Sequence, residues 1–324
     1  MPDSTRDRDI GILGDSSLTD STPTLDDVSE KDKPWTKHRR ESQTIEEHYQ
    51  GSHFERYAER IRECSQLLDF RLVPEASEGA YKLKLSSARL CKVRTCQICT
   101  WRRSLMYKAR AYTSLPKFIS DHPKTRYSFL TLTCKNCEIT ELRKTITHLN
   151  QSFVRLTKRK DWPGIGWIKT VEVTRGKDGS SAHPHLHCLV ALEPSYYSRH
   201  YLSKKKWIKL WKESLKVDYS PILDVQAIKA KDSPISLLAE IIKYQVKPND
   251  CLLSPKEWFL EYTKQIHGTK AFSLGGLFKD YFREMDKEET DDELIGNDGE
   301  NEVDEGHLYF GWRRVERNYR MVDQ

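Results

Sequence analysis

The chain has 324 residues, of which 31% are charged and 37% hydrophobic, and its formal net charge is +6. It contains no apolar run long enough to span a bilayer, which argues against an integral membrane protein. Its eight cysteines occur without a recognisable signal peptide, so we expect a reducing, cytoplasmic environment and no disulfide framework.

The charge is distributed unevenly along the chain. Residues 51–283 carry 42 Lys and Arg against 22 Asp and Glu, whereas residues 284–305 carry one basic residue against 12 acidic ones. A region this basic is typical of proteins that bind polyanions such as nucleic acids. A membrane surface would attract similar charge, but no long amphipathic segment or lipidation motif supports that alternative.

Composition and periodicity divide the chain into five segments. The first is polar and lacks periodicity, which is typical of disorder. The second begins with a predicted helix over residues 50–72 and continues into a cysteine-rich stretch. The predicted segments are a disordered region at 1–48, a Cys-rich DNA-binding module at 49–120, the main domain at 121–283, an acidic linker at 284–305 and a C-terminal tail at 306–324.

The cysteine-rich stretch has the spacing of a zinc site. Cys96 and Cys99 form a Cys-x-x-Cys knuckle, and Cys91 is near enough to bind the same ion. Cys64 is the preferred fourth ligand, with His53 as the alternative. The sequence therefore predicts a structural Zn²⁺ held by thiolates.

A strand is predicted over Phe129–Thr133, whose residues Phe-Leu-Thr-Leu-Thr alternate. Cys134 and Cys137 follow it directly and leave two alternatives open. They could form a second metal knuckle, or they could be free thiols at the end of a strand. The second alternative is preferred because of their position.

A β-hairpin is predicted next. Residues 168–174 alternate and are rich in β-branched side chains, and Asp178-Gly179 is a strong hairpin signal. If these two residues form the loop, the numbers of paired residues sum to 357. Pro184 would then lie opposite Val173 at a hydrogen-bonded position, where it has no N–H to donate, so a bulge or a sheet edge is expected there.

The hairpin register brings three metal-ligating side chains together. In a strand, His185 and His187 point to one face, while Leu186 and Cys188 point into a core. The register places Glu172 directly opposite His185. Two imidazoles and one carboxylate suit Mn²⁺ or Mg²⁺ bound to a phosphate, although imidazole pairs also bind Zn²⁺. The alternatives are a surface or tag-like His cluster, a single satisfied core histidine, and a solvent-facing glutamate.

Basic clusters mark candidate nucleic-acid contacts. One cluster lies beside Trp207 and Trp211, which could either stack on unpaired bases or be buried beneath a solvated basic helix face. Both alternatives fit the sequence equally well. The candidate DNA-binding residues in these clusters are Arg102, Arg103, Lys204, Lys205 and Lys206.

A helix is predicted over residues 233–248, with Ser-Pro at its start and Pro at its end. Glu240, Tyr244 and Lys247 share one face at i, i+4 and i+7, and Lys243 lies beside them. Cations favour the phenolate form of a tyrosine, and a metal bound to the target phosphate would make its attack feasible. Glu240 could act as a general base, or it could pair with the lysines on a solvated face.

Four segments together resemble a known family. Phe129–Thr133, His183–His187 and Glu240–Tyr244 are similar, in this order, to the strand, metal and nucleophile motifs of plasmid rolling-circle replication initiators. The Cys91–Cys99 segment and the basic residues after it also resemble a cysteine-rich segment of these proteins. Such initiators are single-tyrosine members of the HUH endonuclease superfamily.

The resemblance implies an α+β fold: an HUH endonuclease core with a central antiparallel, ferredoxin-like sheet and flanking helices, plus a small Cys-rich N-terminal module. It implies that Tyr244 attacks one DNA strand at the plasmid origin, retains the 5′-phosphate and releases a 3′-OH for host polymerase. Origin DNA, both double-stranded and exposed single-stranded, and a host helicase are the implied partners. A relaxase, a single-tyrosine transposase and a non-enzymatic zinc-dependent DNA-binding regulator are the alternatives.

Overall fold

The computed structural model describes residues 22–74, 81–228, 253–270, 272–283, 287–296 and 306–322. Over these residues the chain folds into two antiparallel β-sheets with helices packed on them, which confirms the predicted α+β class. The helices are α1 (Leu25–Val28), α2 (Lys33–Tyr49), α3 (Glu55–Arg62), α4 (Gln97–Asp121), α5 (Leu142–Thr157), α6 (Tyr196–Arg199), α7 (Lys204–Leu215), α8 (Lys256–Ile266), α9 (Phe278–Tyr281) and α10 (Asp291–Ile295). The strands are β1 (Leu67–Pro74), β2 (Tyr81–Ala88), β3 (Arg126–Thr133), β4 (Gly164–Arg175), β5 (Ala182–Leu192), β6 (Leu223–Ala227), β7 (Phe272–Gly276), β8 (His307–Arg313) and β9 (Asn318–Val322).

The five-stranded sheet has the order β6-β3-β5-β4-β7, so the strand with the His motif is central. One face of β5, with Leu186 and Cys188, packs in a core with residues of α5 and α7. On the other face, Leu189 and Ala191 pack with residues of α4 and α9. Because both faces are covered, polar side chains in β5 need specific partners.

The four-stranded sheet has the order β2-β1-β8-β9 and joins the two ends of the described chain. Leu68 in β1 lies opposite Phe310 in β8, and Phe310 and Tyr319 are completely buried. The prediction of a short tail at 306–324 is therefore wrong, because these residues form a hairpin that completes a sheet. Pairing across about 240 residues leaves no local signal.

The predicted disorder of residues 1–48 is wrong from residue 22 onward, where the structure describes the chain. Helix α2 buries Trp35 against the core of the four-stranded sheet, and Arg39 and Glu46 are also fully buried. Glu46 forms ion pairs with Arg62 and Arg314. A segment that contains such buried, paired charges has the same polar composition as a disordered segment, so its sequence alone does not distinguish the two.

The predicted helix over residues 50–72 is confirmed only for α3. The chain then extends into β1, where Leu68, Phe70 and Val73 are buried. Their spacing close to two residues is typical of a strand with one covered face. The basic residues after the cysteines lie in helix α4.

The acidic segment predicted as a linker is packed on α4 over its described part, which we call the acidic strap (residues 287–296). Leu294 in the strap is fully buried. Arg103 and Arg110 of α4 form ion pairs with Glu289 and Glu293 of the strap. The strap is thus part of the fold over these residues.

Helices α4 and α8 connect the two sheets. The start of α4, with Ile98, lies in the core of the four-stranded sheet, and its later residues Leu115 and Phe118 lie in the core of the five-stranded sheet. Phe259 of α8 packs in the first of these cores, and its neighbour Trp258 packs beside β4 and β5. None of the described helices is long and apolar enough to cross a membrane.

Candidate metal centres and nucleic-acid surface

The β4–β5 hairpin has the predicted register. Glu172 lies opposite His185 and Val173 opposite Pro184, so the pairs sum to 357. The predicted two-residue loop is wrong: the Gly176 N–H donates to the carbonyl of Ser181 at 2.8 Å, which closes a loop of four residues. The register is the same for both loop lengths, because the longer loop includes one more residue from each strand.

Asp178 stabilises this loop. Its carboxylate accepts hydrogen bonds from the N–H groups of Ser180 at 2.9 Å and Ser181 at 2.8 Å, and from the Ser181 hydroxyl at 2.6 Å. The hydrogen bond from the Ser181 hydroxyl is the main reason why the pKa of Asp178 is lowered to about 2. Gly179 has φ +79°, a left-handed conformation that glycine adopts without strain.

Pro184 causes no bulge, and the register continues unchanged past it. Its carbonyl faces the thiol of Cys134, on the side of β5 away from β4. Ala182, two residues earlier, exchanges both backbone hydrogen bonds with Cys137 on that same side. Pairing between β3 and β5 ends at Thr133 and His185, so no ladder hydrogen bond needs the missing N–H of Pro184.

The structure brings Glu172, His185 and His187 together as predicted. All three are buried, and their ligand atoms lie within 4.8 Å of one another. His187 Nε2 is 2.9 Å and His185 Nε2 is 3.5 Å from Glu172 Oε2. Adjacent ligands of an octahedral ion with bonds of about 2.1 Å lie about 3.0 Å apart, so these spacings fit one divalent cation.

The other ring nitrogen of each imidazole is held by the protein. His187 Nδ1 is 3.3 Å from the hydroxyl of Thr131, and His185 Nδ1 is 3.1 Å from the carbonyl of His183. Such contacts orient the rings and direct Nε2 to the metal position. Thr131 was not predicted as a site residue, although its place opposite His187 in the alternating β3 motif could have identified it.

His183 lies at the exposed end of this histidine row. Its ring stacks on that of His185 at 5.2 Å, and its Nδ1 is 2.8 Å from Asn136 Oδ1. Asn136 also donates to the Ser181 hydroxyl at 3.0 Å, which ties the segment after β3 to the hairpin. Burial is the main reason why the pKa of His183 is lowered.

Cys64, Cys91, Cys96 and Cys99 form a second group of buried ligands. The Sγ atoms are 3.6 Å apart for Cys91–Cys99 and 3.7 Å apart for Cys64–Cys99 and Cys64–Cys96. Four thiolates placed tetrahedrally at about 2.3 Å from Zn²⁺ lie about 3.8 Å apart, so the group fits zinc. The choice of Cys64 over His53 agrees with this grouping, which His53 does not join.

Backbone amides point at these sulfurs. The N–H of Cys91 donates to Cys64 Sγ at 3.5 Å, and the N–H of Lys92 donates to Cys99 Sγ at 3.2 Å. Hydrogen bonding among the four thiols, first with Cys91, and burial raise the pKa of Cys64 well above its usual range. A divalent cation would compensate the mutual repulsion of thiolates packed this closely.

Cys134 and Cys137 do not belong to either group of candidate ligands among the described residues. Neither forms a disulfide, and the preference for free thiols at the end of a strand stays a prediction. Burial is the main reason why the pKa of Cys134 is raised to about 12, so this thiol is protonated at neutral pH.

Two predicted DNA contacts are engaged within the protein. Arg102 donates to the carbonyls of Leu294 at 2.5 Å and Ile295 at 2.6 Å, and Arg103 forms two hydrogen bonds with Glu289 at 2.5 and 2.7 Å. The acidic strap therefore occupies the groups that were predicted to bind DNA. Sequence reasoning missed this because the partners are nearly 190 residues apart.

The α7 cluster is available to solvent, as predicted. Lys204, Lys205 and Lys206 are exposed, and Lys204 lies 3.4 Å from Asp224. Trp207 is 1% and Trp211 0% exposed, so the alternative in which these tryptophans stack on unpaired bases is wrong. They form the buried side of an amphipathic helix whose other side is basic.

The predicted nucleophile helix cannot be compared with the structure. Tyr244, Glu240, Lys243 and Lys247 all lie in residues 229–252, outside the described residues. Their roles stay predictions.

Comparisons with known proteins point to one family. A protein-family model described as "Replication protein" matches residues 82–320. A protein rep of Lentilactobacillus hilgardii is 30% identical over 91% of this chain and 98% of its own length. A protein rep of Streptococcus pneumoniae is 32% identical over 81% of this chain and 83% of its own length, and a replication protein of Staphylococcus aureus is 32% identical over 62% and 92%.

No solved structure matches the chain significantly. The family match covers most of the chain. It includes Glu172, His185 and His187 and three of the four grouped cysteines, whereas Cys64 lies before the matched residues. The protein therefore belongs to the replication protein family, as a plasmid rolling-circle replication initiator.

Proposed function

We propose that this initiator nicks one strand of its plasmid origin by attack of Tyr244 and later rejoins the strand. The observation that carries the proposal is the group of Glu172, His185 and His187 on adjacent central strands. Burial of a carboxylate and two imidazoles costs free energy, because each group must be desolvated. Packing of the sheet alone does not require such residues at these positions. Their arrangement supports a metal-dependent reaction on a phosphate.

These three residues would hold Mn²⁺ or Mg²⁺. When bound, the cation would polarise the scissile phosphate and offset its negative charge. Thr131 and the His183 carbonyl keep the imidazoles in the required orientation. We propose that the five-stranded sheet is the HUH endonuclease core and that the helix predicted over residues 233–248 presents Tyr244 to the metal ligands.

The proposed step balances as a transesterification. The phenolic oxygen of Tyr244 forms a bond to phosphorus while the bond from phosphorus to the 3′ oxygen breaks. The phenolic proton is lost, and the 3′ oxygen gains a proton to become the primer hydroxyl. Lys243 and Lys247 would favour the phenolate, and the phosphotyrosine ester retains the energy needed for rejoining.

Termination needs a second attacking group, because the motif contains a single tyrosine. We propose that Glu240, one helical turn before Tyr244, serves as the general base for that step. A Glu240→Ala variant should nick at the normal rate and fail to release closed circles. Normal termination by this variant would instead support pairing of Glu240 with the lysines.

The wider function follows from this chemistry. Host DNA polymerase would extend the 3′-OH, and a host helicase would separate the strands. The four-cysteine group would hold structural Zn²⁺ and shape the module that packs beside the nuclease sheet. The exposed lysines of α7, with Lys243 and Lys247, would contact origin DNA.

The test is covalent capture on the plasmid origin. Protein would be mixed with supercoiled plasmid and Mn²⁺ or Mg²⁺, denatured, and the adduct located by peptide mass mapping. An adduct on Tyr244 that requires metal and is lost in Tyr244→Phe is expected. Tyr112→Phe is the matched control, because Tyr112 is 48% exposed and lies outside the four segments that resemble the family.

Other results separate the alternatives. An adduct on another tyrosine would refute the role of Tyr244 and keep the enzyme class. Tight origin binding without any adduct would favour a non-enzymatic regulator. Cleavage at a transfer origin or a transposon end, and not at the replication origin, would favour a relaxase or a transposase.

A further inference from the structure

The segment between β5 and α7 presents two tyrosine rings to solvent. Tyr197 is 42% and Tyr201 58% exposed, and their rings lie nearly parallel, with an interplanar angle of 28° and centroids 6.2 Å apart. We call them the tyrosine pair. Exposed large aromatic rings that share an orientation are suited to stacking on flat ligands.

A buried third tyrosine holds the pair in place. Tyr196 is 2% exposed, and its ring contacts Tyr197 at 4.8 Å and Tyr201 at 5.9 Å. Its hydroxyl accepts hydrogen bonds from the Leu202 N–H at 3.3 Å and from the Trp207 indole at 3.2 Å. The exposed rings therefore pack against a residue of the hydrophobic core, which restricts their motion. Less side-chain entropy is then lost when a ligand binds.

The tyrosine pair lies in a basic stretch of the chain that is bounded by Glu193 and Glu213. Residues 194–212 contain six Lys and Arg and no Asp or Glu. Arg199 lies between the two tyrosines in sequence and is exposed, as are Lys205 and Lys206 immediately beyond them. A surface with this charge and these rings suits a polyanionic ligand that itself has exposed flat rings.

The lysines are also electrostatically unfavourable at the N-terminus of α7. Ser203 caps the N-terminus of α7, and the three residues that follow its cap are all lysines. Cations in the first helical turn are unfavourable, because the helix dipole places partial positive charge there. Only Lys204 has an acidic partner given by the ion pairs of the described residues, Asp224. An anionic ligand would compensate the remaining charge.

We infer that the tyrosine pair, with Arg199 and the lysines that begin α7, binds unpaired bases of single-stranded DNA. The inference rests on the proposed function insofar as DNA is the ligand. A duplex would offer only its phosphates here, because its base faces are covered, whereas single strands offer faces that stack on aromatic rings. Leu192, at the end of β5, lies about 17 Å along the strand from His187. The tyrosine pair follows Leu192 in the chain, so it would hold DNA several nucleotides from the scissile phosphate.

The test compares two double variants in the otherwise intact chain. Tyr197→Ala/Tyr201→Ala removes both rings, and Tyr197→Phe/Tyr201→Phe keeps the rings and removes the hydroxyls. Tyr112→Ala is the matched control for the loss of an exposed tyrosine. Affinity would be measured by fluorescence anisotropy with labelled oligo-dT of about 20 nucleotides, the span of one to a few binding sites, and with a duplex of equal length.

The Ala variant should bind oligo-dT at least about tenfold more weakly, since one stacked base alone is worth a factor of about five or more. Its affinity for duplex should change less than about threefold, and the Phe variant should bind like the wild type. An Ala variant that binds oligo-dT normally, or that loses oligo-dT and duplex binding equally, overturns the inference.

The measurement is independent of cleavage. All binding would be done in the Tyr244→Phe background without added metal, so failure of the nicking proposal leaves the result interpretable. In addition, Lys205→Gln/Lys206→Gln should reduce the dependence of log affinity on log salt by about 0.7 for each lost phosphate contact. An unchanged slope would remove these lysines from the site.

Discussion

The acidic strap offers a sharp test, because one carboxylate both fastens it to α4 and caps its helix. Glu293 accepts two hydrogen bonds from Arg110, at 3.0 and 2.7 Å. It also completes a capping box with Thr290, whose N–H donates to Glu293 at 3.2 Å. Glu293→Gln keeps an N3 residue that can form the capping box and removes the charge, whereas Glu293→Ala removes both.

The magnitudes follow from the burial of the two partners. The Arg110 side chain is 7% exposed and that of Glu293 is 39% exposed. Loss of a charged hydrogen-bonded pair, reduced by solvent screening at Glu293, should cost about 1–2 kcal/mol. Arg110 keeps the carbonyls of Lys287 and Glu288 at 3.0 and 3.1 Å, which limits the cost. Loss of the cap should add about 1 kcal/mol in the Ala variant.

Amide hydrogen exchange measures the opening of the strap directly. The amides of Leu294 and Gly296 are bonded to the carbonyls of Thr290 and Asp292, so they exchange when α10 opens. A free-energy change of about 1.4 kcal/mol changes the opening equilibrium tenfold. We therefore expect these amides to exchange about 5- to 30-fold faster in Glu293→Gln, and faster again in Glu293→Ala. Glu288→Gln is the control, since the Arg110 contact to residue 288 uses only its backbone carbonyl.

The pH dependence gives an independent check. The hydrogen bonds from Arg110 are the main cause that lowers the pKa of Glu293 to about 2, from an ordinary value of 4.5. Because the folded pKa is depressed, the stabilisation is present above pH 4.5 and is lost as the pH falls toward 2. The difference between wild type and Glu293→Gln should shrink over that range. Equal exchange of the two at pH 7, or a difference independent of pH, would refute the role of this ion pair.

Three further predictions concern the candidate metal centres. Glu172→Gln removes the only carboxylate of the group and should weaken Mn²⁺ binding, measured by calorimetry, at least about tenfold. Glu193→Gln is the exposed control. Equal Mn²⁺ affinity of the two variants would exclude Glu172 as a ligand. Thr131→Val should lower Mn²⁺ affinity about 10- to 100-fold through loss of the contact to His187 Nδ1, and an unchanged affinity would show that this contact does not orient the ring. Cys64→Ser should lower bound zinc in elemental analysis and reduce thermal stability, since structural zinc contributes folding free energy, whereas full zinc content would assign the fourth ligand elsewhere.

Features with local causes were predicted from the sequence. Alternation and the Asp178-Gly179 pair were sufficient for the register of the β4–β5 hairpin, and with it the meeting of Glu172 and His185. Even there the loop length was wrong, because the carboxylate of Asp178 stabilises a four-residue loop. The missing N–H of Pro184 was harmless because β3 ends one residue earlier, which depends on a strand about 50 residues away.

The cysteine group was partly local. Three of its members lie within nine residues, and their spacing identifies a metal knuckle. The fourth, Cys64, is 27 residues before Cys91 and is brought to it by the turn between α3 and β1. Its selection over His53 was a choice that spacing alone did not require.

Sequence by itself thus determined the α+β class, the hairpin that joins the metal ligands and the knuckle of the cysteine group, because each depends on neighbours in the chain. Tertiary structure alone decided that the C-terminal hairpin completes the sheet of β1 and β2, that Arg39 and Glu46 are buried, and that the acidic strap occupies Arg102 and Arg103. Glu46, Arg102 and Arg103 are of residue types typical of a solvated surface, and each has a partner far away in the sequence. Only the folded chain, in which desolvation is balanced by that partner, distinguishes such a residue from one that remains free to bind DNA.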